Sequence, residues 1–358
     1  MKTRQAPNFS EFRRTFRAKP GRIFLVPANT FDNVTGDFPI GFQIWRTGTE
    51  EYFTETQADV YDSESNFIGR KTLFAYSTDI VINRWLNKHY DRTGKQIGWL
   101  RFVPNDFQNN RGVYITTKAK ESDIRESRVA EISINNVNTV CIYFAVRLCI
   151  EATWLNDRDQ FLYPNDGWQN DKEFQSNCLV FALFHGQNRI SNEHGTNYWI
   201  PFTEEEVNAK EKFESHFMSD YIKGKPKKKE MTAEEREAYE RDGRNYHQAD
   251  VFEQPKPNQI PLNCEPLKFS LEAQAVMDAG RELWQYYHKQ PNANPNASFY
   301  DIRLHFQGTK TTKNGKVQMN TESQDETYTL LISDLRQKLK DLAKKIEPKV
   351  YEYGFLKQ

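Results

Sequence analysis

Several things are missing from this chain, and each absence closes off a class of function. No two of its 17 glycines are spaced as GxG. That removes the Gly-rich turn that lets a backbone approach a nucleotide or S-adenosylmethionine, and a Walker loop with it. None of the 15 prolines is followed by another, so no [DNS]PP[YFW] tetrapeptide exists. GxSxG, HExxH and EF-hand patterns are absent as well. The longest clean apolar run is Val140 to Val146, far short of the ~20 residues of a bilayer-crossing helix. Behind the N-terminal Lys2, Arg4, Arg13 and Arg14 there is no apolar h-region of a signal peptide.

Charge of one sign is lacking too. The 358 residues hold 49 Lys+Arg against 49 Asp+Glu, which excludes a uniformly basic nucleic-acid coat but not a local basic patch. Cysteine is sparse: Cys141, Cys149, Cys178 and Cys264. Cys141 and Cys149 fall in one expected helix, where eight residues at ~1.5 Å rise separate their Cα atoms by ~12 Å, beyond disulfide reach. The reading is reduced, mostly buried thiols in a cytoplasmic protein. No Cys/His spacing suits zinc.

Aromatic residues are plentiful. They make up 14% of the chain, with 25 Phe, 17 Tyr and 7 Trp, too many for a disordered polymer. Phe9, Phe12 and Phe16 at i, i+3, i+7 predict a short amphipathic helix with an Arg-rich outer face. Residues 22–27, a short apolar run between turn signals, suit a buried strand of a parallel sheet. Residues 38–47 read as a strand with Pro39 at its mouth. Residues 52–62 and 66–75 read as a hairpin about the Asp62–Asn66 turn. Helices are expected over 79–89, 137–153, 171–184, 270–287 and 327–345. The last carries Tyr328, Leu331, Leu335, Leu339, Leu342 and Ile346 as a narrow apolar stripe. Capping boxes at Thr203–Glu206 and Thr232–Glu235 open further helices. Several short strands are expected over 97–135, loop at 292–298 and mobile polar chain over 308–326.

Five candidate sites follow. Gln187-Asn188-Arg189 carries side chains able to make bidentate contacts to base edges, though a satisfied polar turn reads equally well. Lys223, Lys225, Lys227, Lys228 and Lys229 can neutralise phosphates, or be a solvated loop. His185 and His194 lack a converging ligand set and read as loop. Asp157-Arg158-Asp159 reads as a self-paired surface turn. Phe38 at a strand mouth is core, or a platform on which a base stacks.

The segments Phe24-Leu25-Val26-Pro27-Ala28-Asn29-Thr30-Phe31 and Phe38-Pro39-Ile40-Gly41-Phe42-Gln43-Ile44-Trp45 resemble the late part of the catalytic domain of bacterial γ-type adenine-N6 DNA methyltransferases of restriction–modification systems. Residues 149–165, 183–190 and 351–355 are similar to the region downstream in one subgroup. The resemblance covers nearly the whole chain. It implies the closing strands and β-hairpin of an incomplete α/β methyltransferase sheet over 1–50. A mixed α+β target-recognition region would follow over 51–205, then a charged helical excursion over 206–250 and helical support over 251–358. Phe38, with Pro39, matches the aromatic that stacks on a flipped adenine. The family's S-adenosylmethionine motif and catalytic tetrapeptide lie upstream of the matching segment. The expectation is therefore a chain with no catalytic residue, metal or cofactor of its own, which reads double-stranded DNA and depends on a complementing N-terminal chain. Arg158, Gln187, Asn188, Arg189 and the lysine run are the DNA-contact candidates, and the truncated sheet should leave an open apolar edge. A stand-alone nucleic-acid-binding or protein-interaction module is the other reading.

Overall fold

The computed structural model describes residues 9–34, 38–52, 54–76, 81–91, 93–102, 112–151, 153–156, 161–224 and 266–357. The chain is a mixed α/β protein with two separate apolar cores.

The first helix, α1 (Ser10–Thr15), is short, and its Arg13 is not on an outer face. The Arg13 side chain is buried and donates to the Tyr76 carbonyl at 2.5 Å. Four strands follow: β1 (Lys19–Pro27), β2 (Pro39–Arg46), β3 (Glu55–Tyr61) and β4 (Phe67–Phe74), laid side by side as β2-β1-β3-β4. The expected hairpin is β3–β4. Asp62 closes it, its Oδ1 accepting from Glu64 N and Asn66 N at 2.9 Å each. The parallel-sheet expectation for residues 22–27 needs correction. β1 runs antiparallel to β2 and parallel to β3 over Phe24↔Asp59 and Leu25↔Val60. Burial alternates over Ile23–Leu25, because alternate residues point to opposite sides of a strand, and Val26 and Pro27 are buried as well. Ile23, Leu25, Ala58, Val60 and Leu73 form a thin core with Trp154 against it. Phe24 is 41% exposed on the other face.

The second unit begins at α2 (Ile82–Lys88). Then come β5 (Gln96–Arg101), β6 (Tyr114–Thr116), the unexpected helix α3 (Glu121–Arg125) and β7 (Val129–Ser133). α4 (Val137–Leu148) is buried from Val137 to Arg147. It stops before the expected residue 153, where Asn156 Nδ2 folds back onto the Glu151 carbonyl at 2.7 Å. α5 (Lys172–Phe184) is capped by Asp171, whose side chain accepts from Phe174 N. β8 (Asn188–Arg189) completes a second sheet in the order β7-β5-β6-β8. The capping box at Thr203 forms but opens only α6 (Glu204–Val207), and α7 (Phe217–Ile222) follows. The box expected at Thr232 lies outside the described residues, as do most of 206–250 and Cys264. Cys141, Cys149 and Cys178 are buried.

α8 (Leu271–His288) starts at the Ser270 cap. α9 (Phe299–Gln307) starts at a Ser298–Asp301 capping box that the sequence reading did not single out. The stretch expected to be mobile holds a hairpin, β9 (Thr309–Thr311) with β10 (Val317–Met319). Gln307 Nε2 ties it down by donating to the Asn320 and Thr321 carbonyls at 2.7 and 3.0 Å. α10 (Glu326–Glu352) continues through Pro348 past the expected end. Its buried stripe is Tyr328, Ile332, Leu335, Leu339, Leu342, Ile346 and Val350, with Ile332 taking the place expected of Leu331. α10 packs on α8 and α5, and this large core is continuous from Ile82 to Leu356.

Two of the segments that carried the resemblance meet here. Leu162 N donates to the Phe355 carbonyl at 2.8 Å, and Asn165 N to the Tyr353 carbonyl at 2.9 Å. Gly354, at φ +74°, makes the turn that places them.

Candidate nucleic-acid interface

The edge of the second sheet carries a cluster of basic and aromatic side chains. α5 ends at Phe184, and His185 turns the chain toward β8. The His185 ring stacks on Phe181 at 4.9 Å, and its Nδ1 accepts from Gln187 N at 3.1 Å. Burial, and beyond it the charge of Arg303, lowers this imidazole to about 3, so it stays neutral and serves as the hinge of the loop. Asn188 is buried. Its Nδ2 donates to the Ala182 carbonyl at 2.9 Å and its Oδ1 accepts from Ile190 N at 3.1 Å. The expected base-reading role of Asn188 is therefore corrected, because both ends of its amide are used inside the fold.

Gln187 and Arg189 are brought together as expected. Arg189 Nη2 donates to Gln187 Oε1 at 2.6 Å. β8 pairs in parallel with β6 through Ile115↔Asn188 and Thr116↔Arg189, which sets Arg189 beside Tyr114. The guanidinium lies 4.2 Å from the centre of the Tyr114 ring, a cation–π contact. Arg101 approaches the same ring at 5.4 Å. Arg101 also pairs with Asp123 at 3.0 Å and donates to the Gly112 carbonyl at 2.9 Å. Burial raises the Tyr114 hydroxyl's pKa while Arg101 pulls it down.

α9 supplies what the sequence reading missed. Asp301 accepts from Ser191 Oγ at 2.7 Å and from Asn192 N at 3.0 Å, and Ser298 Oγ donates to the Ile190 carbonyl. The first turn of α9 thus clamps residues 190–192 and brings Arg303 against the loop, where Nη2 donates to the Gly186 carbonyl at 3.2 Å. The capping box was legible as Ser298-Phe299-Tyr300-Asp301; its long-range partners were not.

The other candidates fall elsewhere. Lys223 Nζ pairs with Glu206 Oε2 at 3.1 Å, closing the end of α6 instead of facing outward unpaired. Arg158, Lys225, Lys227, Lys228 and Lys229 lie outside the described residues. Phe38 is 40% exposed at the open end of the β1–β2 pair, its carbonyl accepting from Ala28 N at 2.9 Å. Pro39 opposes Pro27 in the register. Among the described residues no three His, Cys, Asp or Glu side chains gather as a metal site.

A second surface stands on the open face of the first sheet. Phe24 and Phe42 stack at 4.7 Å, and Phe31 leans on Phe42 at 6.1 Å. Tyr61 meets Phe24 at 6.4 Å and Phe67 at 5.7 Å. These rings cross all four strands in a continuous strip. Phe24, Phe31, Phe42 and Phe67 are each at least 39% exposed. An exposed apolar surface thus lies on the face of this sheet, whose edge strands are β2 and β4. The chain matches no family model, no curated protein and no solved structure.

Proposed function

We propose that the chain is the DNA-recognising, C-terminal part of an adenine-N6 DNA methyltransferase of a restriction–modification system, inactive alone and dependent on an N-terminal catalytic half. The observation that carries this reading is Arg189, held on the Tyr114 ring and hydrogen-bonded to Gln187, at an exposed sheet edge. A guanidinium positioned by stacking presents its fork of donors in a fixed plane, which suits the guanine edge and phosphate oxygens alike. Gln187 beside it offers the amide that pairs with adenine. Neither group has chemistry of its own to transfer a methyl group. The sequence lacks the GxG turn and the PP tetrapeptide, so S-adenosylmethionine belongs to the complete enzyme and no residue here is assigned to it. Double-stranded DNA is the proposed ligand, with Phe38 carried over by resemblance as the base-stacking position.

Fluorescence anisotropy with duplex DNA of mixed sequence tests this. The wild-type chain should bind with a sequence preference that survives at raised salt, and Arg189→Ala should weaken the preferred site about tenfold, the scale of one lost bidentate contact. The same chain should give no turnover with labelled cofactor. Failure to bind DNA of any sequence, or methyl transfer by the chain alone, would overturn the reading. One observation favours a second reading, a protein-interaction module: the uncovered ring strip of the first sheet is larger than the scattered single apolar residues of ordinary surfaces. Pairing with a protein in the absence of any DNA affinity would favour it.

A further inference from the structure

The ring strip on the first sheet plays no part in the contacts at the Gln187–Arg189 edge. Its geometry suits side chains better than bases. Phe24 and Phe42 lie 4.7 Å apart with planes 14° from parallel, so each spends one face on the other. Tyr61 stands at 89° to Phe24 and at 67° to Phe67. A base stacks on a free ring face, whereas rings packed on one another offer edges with gaps between them. Edges and gaps interdigitate with a second apolar sheet, as the inner faces of a two-sheet sandwich do.

The size of the strip fits one partner of ordinary extent. Phe24, Phe31, Phe42 and Phe67 are 41%, 39%, 42% and 55% exposed, and Ile44, on the Phe42 side of β2, is 61% exposed. At 150–250 Å² per aromatic side chain they leave on the order of 450 Å² of apolar surface open. A standard interface buries about 800 Å² on each partner, roughly 60% of it non-polar. The two amounts agree.

Charge selects which partner. Across the middle of the face runs the row Phe42–Phe24–Asp59–Arg70, whose two charged members pair with each other at 2.9 Å. Beyond one end of this row stand Arg46, on the Phe42 side of β2, and Arg22, both exposed. Glu55 is exposed at the same end and opposes Phe74, over whose ring Lys357 Nζ lies at 4.6 Å. That end therefore keeps an excess of positive charge. β1 and β3 run the same way, so the loop after β1 and the β3–β4 turn lie at the other end, with Asp32 and Glu64 exposed. Among the described residues, neither Arg22 nor Arg46 forms an ion pair, and neither does Asp32 or Glu64. The face is basic at one end, acidic at the other and apolar between, which is the pattern that complements itself when reversed.

We propose that a second copy of this chain covers the strip, the two sheets meeting face to face about a twofold axis that lies along the central row. Such an axis reverses strand direction and sets each strand over its own counterpart. Arg22 and Arg46 of each copy then come over Asp32 of the other, and Lys357 over Glu64, while the rings interleave at the centre. The inference stands apart from the DNA reading, since the Gln187–Arg189 edge belongs to the other sheet.

Sedimentation equilibrium of the full chain tests it. Across the micromolar range the wild type should form a reversible dimer of twice the 42.2 kDa chain mass. Phe42→Lys, which puts a charge at the centre of the strip, should leave only monomer with an unchanged circular dichroism spectrum. Arg46→Glu, an exposed change that spares the fold, should weaken dimerisation about three- to tenfold, the scale of two exposed ion pairs lost. Adding Asp32→Lys to Arg46→Glu should restore the wild-type affinity. A chain that stays monomeric at every concentration overturns the proposal; if that monomer binds a single-stranded oligothymidine and Phe42→Lys abolishes the binding, the strip belongs to nucleic acid instead. A dimer indifferent to both Phe42→Lys and Arg46→Glu uses another surface and overturns it equally. Failure of Asp32→Lys to rescue Arg46→Glu overturns the reversed pairing of ends, and the proposal with it.

Discussion

Asp91 ties the turn after α2 to the junction between β7 and α4, and its replacement by Asn isolates what a single buried carboxylate contributes. Its Oδ1 accepts from Thr93 Oγ1 at 2.7 Å and Thr93 N at 3.2 Å. Its Oδ2 accepts from Ser133 Oγ at 2.8 Å, Gly94 N at 3.1 Å and Asn135 Nδ2 at 3.1 Å. Burial alone would raise this carboxyl, but the hydrogen bonds from Thr93, Ser133 and Gly94 outweigh it and hold it at about 2, below its ordinary 3.8. A depression of that size corresponds to about 2 kcal/mol of stability. In Asp91→Asn one oxygen becomes an NH2 group. Whichever way the amide is turned, it meets a backbone N–H, of Gly94 or of Thr93, with no acceptor between them. A buried donor left unsatisfied costs roughly 1–3 kcal/mol, so the variant should lose about 2–4 kcal/mol at pH 7. The sign of the pH dependence follows from the depressed value. The stabilisation is fully present above the unfolded-state pKa near 3.8, and it drains away as pH falls through about 2. Urea unfolding of both proteins at pH 7, 5 and 3 measures this. The gap between them should hold from pH 7 to 5 and narrow below 4. A gap that stays constant down to pH 3, or one under 0.5 kcal/mol at pH 7, would refute the argument.

Two further substitutions probe packing and the C-terminal closure. Gly280, within α8, has no room for a methyl group, because a Cβ there would overlap the edge of the Phe184 ring. Gly280→Ala should therefore destabilise by about 1–3 kcal/mol despite the better helix propensity of alanine, seen as a lowered Tm, and an unchanged or raised Tm would show that Phe184 moves freely. Tyr353 donates to Asp171 Oδ2 at 2.5 Å across the C-terminal turn, so Tyr353→Phe should cost about 1.5–3 kcal/mol in urea unfolding; a loss under 0.5 kcal/mol would mean that Lys349, 3.2 Å from the same carboxylate, suffices alone.

Elements that one local signal specifies were legible in advance. The helix starts at 171 and 270, the Asp62–Asn66 turn and the stripe of α10 each need only neighbours within a turn or two of helix or hairpin. The α10 stripe was misread by one position: Ile332 is buried, while the expected Leu331 beside it is only partly buried against the same core. The hairpin at 309–319 was missed since its anchors, Gln307 and Asn320, act across the ends of the segment.

The candidate site divides along the same line. Sequence alone determined that Gln187, Asn188 and Arg189 stand together after a buried helix, and that no two glycines are spaced as GxG. It could not determine which of the three amide and guanidinium groups faces outward. That was decided when the parallel pairing of β8 with β6 turned Asn188 inward and laid Arg189 on Tyr114, 75 positions away in sequence. Likewise, only the clamp of α9 on residues 190–192 puts Arg303 beside Gly186. The physical reason is range. Caps and periodicities are settled by hydrogen bonds and burial within a few residues, whereas the meeting of side chains distant in sequence depends on how entire elements pack.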